Sequence, residues 1–246
     1  MAGNTKIEWT EQSWNPVTGC TKVSPGCKNC YAEVMAKRLQ AMDVPGYENG
    51  FQLTMLPERL SQPLERQKPT VYFVNSMSDL FHEKVTDEFI ESIFNTIWKS
   101  PQHIYQILTK RAERMAEYCM SRELPPNAWM GVSVEDRKHG LPRIDELRKI
   151  NCTIRFISAE PLLEDIGEIS LAGIHWVIVG GESGPNARPM KKEWAVNIQE
   201  QCLRHNIAFF FKQWGGWGSD GVRRHKKANG KVLQGKVWSE MPYVGV

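Results

Sequence analysis

A chain of 246 residues, 41% apolar and 24% charged, carries enough apolar material for one globular domain spanning 1–246, and nothing in it requires a second. Six cysteines, three clustered and three scattered (Cys119, Cys152, Cys202), exclude the dense even framework of a small secreted protein and point to a reducing, cytoplasmic compartment. A formal charge of +3 is too small to announce a nucleic-acid partner by itself, and no apolar run reaches bilayer-crossing length, so no membrane partner is expected.

The opening stretch MAGNTKIEWTEQ lacks the charged head and apolar run of a signal peptide. A first strand is expected through SWNPVTG, running directly into GCTKVSPGCKNCYAE, so that residues 14–34 form a strand end followed by a cysteine loop. Cys20, Cys27 and Cys30 stand there in a C-x6-C-x2-C pattern, the spacing of thiolates that grip one metal centre. Gly19, Pro25 and Gly26 supply the turns that bring the sulfurs together. Three ligands without an obvious fourth leave a coordination position open. Structural zinc would need a distant fourth ligand such as Cys119, Cys152 or His82, whereas an iron–sulfur cluster tolerates three thiolates.

Downstream, short apolar runs alternate with amphipathic segments, the pattern of an α/β fold with buried parallel strands. The strands are expected at TVYFVNS, IYQILTK, AWMGVSVE, TIRFISAE, HWVIVGGE and IAFFFKQ. Helices are expected at CYAEVMAKRLQAM, TDEFIESIFNTIWKS, RAERMAEYCMSRE, LPRIDELRKI and KKEWAVNIQEQCLRHN; the second opens on Thr86 as its cap and carries an apolar stripe of Phe89, Ile90, Ile93, Phe94 and Ile97. The Gly-interrupted connection PLLEDIGEISLAGI has room for an abbreviated helix only, and residues 43–68 read as an irregular excursion. This order fits a partial or complete parallel β/α barrel, with a doubly wound open sheet as the competing architecture.

The strand ends favour the barrel, because polar residues recur where barrel strands converge on one mouth. They are Asn75, Ser76 and Asp79; Thr109, Lys110 and Arg111; Ser133 and Glu135; Ser158 and Glu160; Gly180, Gly181, Glu182 and Ser183; and Lys212 and Gln213.

The blocks IEWTEQSWNPVTGCTKVSPGCKNCYAE, NSMSDLFHEKV, ILTKR, MGVSVED, IRFISAEPLL, WVIVGGESGPNARPM and FFFKQWGG, in that order, are similar to a family of phage-associated three-cysteine proteins without an assigned reaction, and the resemblance covers almost the whole chain. The cysteine loop followed by a β/α barrel also resembles the radical S-adenosylmethionine superfamily. That resemblance implies a four-iron four-sulfur cluster on Cys20, Cys27 and Cys30, S-adenosylmethionine on the open iron, an external electron donor, and a 5'-deoxyadenosyl radical acting on an unknown substrate. Two departures stand out. The superfamily's common spacing is C-x3-C-x2-C, whereas here the first gap holds six residues; and Asn29 occupies the place of its usual aromatic, with Tyr31 following as the candidate adenine contact.

On that scaffold the cofactor-facing candidates are Asn75, Ser76 and Asp79 for the methionine end, Gly180, Gly181 and Glu182 for close backbone approach, and Ser133 and Glu135 for ribose hydroxyls. Lys110 and Lys212 suit a carboxylate or a phosphate, with Glu160 as partner to either; the competing role for these groups is an ion-pair lattice bracing the mouth. His82 reads as a packed histidine. Residues 214–246 form a basic extension, expected as a β-hairpin turning at Asn229–Gly230, with Arg223, Arg224, Lys226, Lys227, Lys231 and Lys236 among Trp214, Trp217 and Trp238. Charge interleaved with stacking faces makes nucleic acid a candidate partner or substrate. The alternative to a radical enzyme is a non-enzymatic zinc or iron–sulfur binding module that engages nucleic acid through this tail.

Overall fold

A computed structural model describes residues 3–5 and 7–243; Met1, Ala2 and Lys6 of the opening stretch and the last three residues of the 214–246 extension lie outside them. In chain order the elements are β1 (Gly3–Asn4), β2 (Gln12–Trp14), β3 (Val17–Thr18), α1 (Tyr31–Gln40), β4 (Thr54–Met55), β5 (Val71–Val74), α2 (Asp87–Trp98), β6 (Ile104–Thr109) and α3 (Ala112–Met120). They continue with β7 (Ala128–Ser133), α4 (Leu141–Arg148), β8 (Ile154–Ala159), β9 (Trp176–Gly180), α5 (Lys192–Arg204), β10 (Ala208–Gln213), α6 (Lys226–Asn229), β11 (Val232–Leu233) and β12 (Lys236–Val237). The six strands expected after the cysteine loop and the five long helices are all present.

The main sheet has the order β1-β2-β5-β6-β7-β8-β9-β10. From β2 onward each strand lies beside the one that precedes it in the chain, and the ladders β2–β5, β5–β6, β8–β9 and β9–β10 are parallel. A doubly wound sheet reverses its strand order at a switch point. This order has none, and the fold is an α/β fold of the partial-barrel kind.

The chain divides into two compact units, Met1–Val23 with Cys30–Met130 and Lys149–Thr153, and Ser24–Asn29 with Gly131–Arg148 and Ile154–Val246. In the first, Trp14, Tyr72 and Tyr105 are buried, with Tyr72 stacked on Tyr105 and Trp14 edge-on to it. Trp14 Nε1 donates to the Arg59 carbonyl at 2.7 Å, and Tyr105 Oη lies 2.6 Å from Ser100 Oγ. Each such ring contributes about 2–3 kcal/mol by leaving water. Thr86 caps α2 as expected, accepting from the Phe89 amide, and Ile90, Ile93, Phe94 and Ile97 are buried while Phe89 is half-buried. In the second unit Phe156, Trp176, Phe209 and Phe211 form the core.

Three local expectations differ. SWNPVTG divides into β2 and β3 because Pro16 has no N–H for the ladder, and β3 pairs antiparallel with β4 instead. Between β8 and β9 there is no helix among the described residues; Gly167 and Gly173 both have positive φ, and buried Gln201 of α5 holds the connection by donating to the Gly167 carbonyl and accepting from the Ile169 amide. The terminal hairpin turns at Gln234–Gly235, where both residues have positive φ, while Asn229–Gly230 ends the short helix α6. An Asn-Gly pair supplies the left-handed conformation that a hairpin turn and a helix end both need, so the dipeptide alone does not choose between them. Beyond β12 the chain runs along β10, with the Phe211 amide donating to the Trp238 carbonyl, and covers a sheet edge. No helix among the described residues is long and apolar enough to cross a membrane.

Candidate metal centre

The cysteine segment is held by strand ends. In the first unit Gly19 has a φ of +76°, and a Cβ there would lie 2.1 Å from the Gln52 carbonyl oxygen, so only glycine fits before Cys20. The Gly19 amide donates to the Met77 carbonyl, Ser78 Oγ donates to the Gly19 carbonyl, and the Cys20 amide donates to the Phe51 carbonyl. Arg111, at the end of β6, grips the next residues. Its Nη1 donates to Cys20 Sγ at 3.6 Å and to Asp79 Oδ2 at 3.2 Å, and its Nη2 donates to the carbonyl and Oγ1 of Thr21 at 3.2 and 2.8 Å. Burial opposes the guanidinium charge, but Asp79, Cys20 and Glu83 outweigh it and hold its pKa above the ordinary value.

Asp79 is saturated, since it also accepts from the Phe81 amide, Thr109 Oγ1 and the Lys110 amide. His82 is fully buried; its Nδ1 accepts from the Lys84 amide, which assigns the proton to Nε2 facing Thr21 Oγ1 at 2.9 Å. Burial and Arg111 push its pKa down, so it supports the loop as a neutral ring. With both nitrogens engaged, His82 does not fit the fourth ligand of a zinc site, and burial pushes the Cys119 thiol up to about 12.

Cys30 is the N-cap of α1, at the end of a helix that favours negative charge. Tyr31 donates its hydroxyl to the Ser76 carbonyl, while more than half of its side chain is exposed. Ser76 Oγ donates to Asn15 Oδ1. Asn75 sits at the end of β5 with a φ of 58°, accepts from the Val17 amide through Oδ1, and is 2% exposed. Its Nδ2 has no partner. A buried donor left over in this way costs about 1–3 kcal/mol, so it marks a place for an acceptor.

In the second unit Cys27 closes a 3-10 turn, Pro25–Cys27, and Ser24 just before it donates to Glu135 Oε1. Glu135, after β7, is fully buried and paired with Arg143, whose Nη1 also donates to the Ser133 carbonyl, both at 2.7 Å. Asn29 Nδ2 donates to Glu182 Oε2 at 3.0 Å and to the Asn186 carbonyl. Glu182, after β9, further accepts from the Arg188 amide, Nε and Nη2 at 2.8, 2.9 and 2.6 Å. Burial raises its pKa, but Arg188 and Asn29 outweigh burial and hold the carboxyl below the usual range. Gly180 and Gly181 owe their lack of a side chain to close approach within the protein: a Cβ would lie 2.7 Å from Glu160 Oε1 at Gly180 and 2.0 Å from the Trp214 carbonyl oxygen at Gly181. Glu160 pairs with Lys212 at 2.9 Å and accepts from Ser158 Oγ.

Three acid–arginine pairs, Asp79–Arg111, Glu135–Arg143 and Glu182–Arg188, therefore hold Cys20–Thr21, Ser24 and Asn29 respectively. Sequence reading names the acids and Arg111 but misses Arg143, Arg188 and the tie to Asn29; an arginine six or eight residues beyond a strand-end acid is the signal that was there to find. The six cysteines are free, and among the described residues no group of three or more His, Cys, Asp or Glu side chains converges to hold a metal ion. The donor chemistry nonetheless fits a thiolate-held centre. Cys20, Cys27 and Cys30 are half-exposed on a pinned segment, whereas Cys119 and Cys202 are buried.

Among curated proteins none matches the chain. Among solved structures, a cysteine-to-serine mutant of spore photoproduct lyase is similar with a TM-score of 0.51 at 13% identity, covering 92% of this chain and 71% of that one. A tyrosine-to-phenylalanine mutant of the same enzyme gives 0.50 at 12% over the same shares. A complex of the lyase with dinucleoside spore photoproduct gives 0.49 at 12%, and there this chain spans only 64% of the lyase. These likenesses are likenesses of fold. The family model DUF5131, a protein of unknown function, matches residues 4–242, and the chain belongs to that family.

Proposed function

We propose that this protein is a radical S-adenosylmethionine enzyme whose four-iron four-sulfur cluster is held by Cys20, Cys27 and Cys30. The observation that carries the reading is the pinned cysteine segment: three half-exposed thiols on a loop tied down by acid–arginine pairs, on a partial-barrel α/β fold. A surface loop with incidental cysteines has no need of three such ties. When bound, such a cluster holds S-adenosylmethionine on its open iron and, once reduced by an external electron donor, supplies a 5'-deoxyadenosyl radical.

In this reading the unpartnered Asn75 Nδ2 donates to the cofactor, alongside Ser76, and Tyr31 offers its exposed ring. Lys110, Lys212, Glu160 and Ser133 remain assigned to the cofactor or substrate side. Asp79, Glu135 and Glu182 act on the cofactor indirectly, through the loop, with Gly180 and Gly181 making room for Glu160 and Trp214. The substrate in this reading is a nucleic acid or nucleotide, and the protein is phage-associated.

Anaerobic reconstitution, iron and sulfide analysis, electron paramagnetic resonance and an assay for 5'-deoxyadenosine test it together. The expected result is cluster signal and 5'-deoxyadenosine from the wild type, both lost in Cys27→Ala. Stoichiometric zinc without iron overturns the proposal and leaves a non-enzymatic metal-binding module.

A further inference from the structure

The chain's positive charge is concentrated in one stretch. Residues 221–237, GVRRHKKANGKVLQGKV, hold six Lys and Arg and no Asp or Glu; setting those six aside leaves 25 basic against 28 acidic residues, a net negative remainder. All six are exposed. The apolar side chains of the region turn the other way: Trp214 is 2%, Trp238 8% and Leu233 0% exposed. Trp214 Nε1 donates to the Val232 carbonyl, Trp238 Nε1 to the Leu233 carbonyl, and half-buried Trp217 donates to the Ala187 carbonyl. The result is a short ribbon fastened by its indoles with its cations outward. Arg224 is tied to Asp220 and Arg223 donates to the Pro185 carbonyl, whereas Lys226 and Lys227 have no acidic partner among the described residues and Lys236 lies over the Trp238 ring.

We infer that this face binds the phosphate backbone of nucleic acid without reading its bases. Charge complementarity selects a polyanion, and the packing of the tryptophans decides how it is held. Trp214 and Trp238 are buried within the protein, so neither offers a stacking platform to a single strand, and the contact of this face is with phosphates. An anionic membrane fits less well: lasting attachment through a basic patch needs a large apolar anchor, and within residues 221–237 the large exposed apolar side chains are the valines Val222, Val232 and Val237. The inference does not depend on the metal centre.

With four lysines on phosphates, log affinity for duplex DNA falls with log salt at a slope of about −3.6, roughly two orders of magnitude between about 50 and 200 mM. Fluorescence anisotropy of the full chain with labelled duplexes of unrelated sequence, and co-sedimentation with phosphatidylserine vesicles, test this. The expected outcome is duplex binding indifferent to sequence with that slope, made shallower by about 2.7 in the Lys226→Gln, Lys227→Gln, Lys231→Gln triple variant while its melting temperature is unchanged. A wild type that ignores duplexes, that binds vesicles but not duplexes, or whose slope survives the triple substitution overturns the inference. The wild-type salt slope needs no variant and decides the matter even if the triple variant folds poorly.

Discussion

Replacing Glu182 by glutamine keeps the shape of the side chain and removes its charge. The carboxylate accepts four hydrogen bonds, three at Oε2 from the Arg188 amide, Arg188 Nε and Asn29 Nδ2, and one at Oε1 from Arg188 Nη2. An amide has one acceptor oxygen; placed at Oε2 it leaves its own NH2 facing Arg188 Nη2, donor against donor. A hydrogen bond to a charged group contributes about 1.5–3 kcal/mol, and because the Arg188 side chain is 28% exposed its guanidinium regains water when released. The loss falls at the low end, about 2 kcal/mol, or about 4–8 °C in melting temperature for a chain of this size. The pH dependence has a defined sign. The folded pKa of Glu182 is depressed, so its contribution is complete above the unfolded carboxylate value of about 4.3 and is lost as pH falls through the folded value. Calorimetric melts of wild type and Glu182→Gln at neutral pH and near pH 3 therefore show a gap that shrinks on acidification. Equal melting at neutral pH, or a gap that widens in acid, refutes the assignment. Because the same carboxylate holds Asn29 next to Cys30, the variant also retains less iron after reconstitution.

Arg111→Met frees Cys20 and Thr21 and leaves Asp79 without its charged partner, and it lowers iron per chain after reconstitution by more than Glu182→Gln does, measured colorimetrically. Gly181→Ala drives a methyl into the Trp214 backbone and is expected to cost more than about 3 kcal/mol, whereas Gly173→Ala, with nothing within 4 Å but a φ of +71°, costs about 1–2 kcal/mol; urea titrations separate the two. Brief alkylation of the metal-free protein, read by mass spectrometry, labels Cys20, Cys27 and Cys30 and spares Cys119 and Cys202, whose thiols burial pushes up to about 12.

Strands such as WVIVG were readable because a strand covered on both faces is apolar at every position, and α2 because its apolar residues repeat at the helical period. The cysteine pattern was equally readable, since ligand spacing is a local property of the chain. The partners of the strand-end acids were not. As strand-end acids Glu135 and Glu182 both read as cofactor-facing, and what assigns each to the cysteine segment is an arginine, together with a serine or asparagine more than 100 residues away. The tryptophans of the basic tail likewise carry no local mark of which way they face.

Composition, periodicity and spacing thus determined the α/β rhythm, the three thiols and the distribution of charge, because each depends on residues close together in the chain. Tertiary structure alone decided that Asp79, Glu135 and Glu182 each commit their charge to an arginine and a piece of the cysteine segment, that Asn75 keeps a donor in reserve, and that the indoles turn inward while the lysines turn out. Those outcomes come from hydrogen-bond satisfaction and burial among groups distant in sequence, which only the folded chain brings within reach.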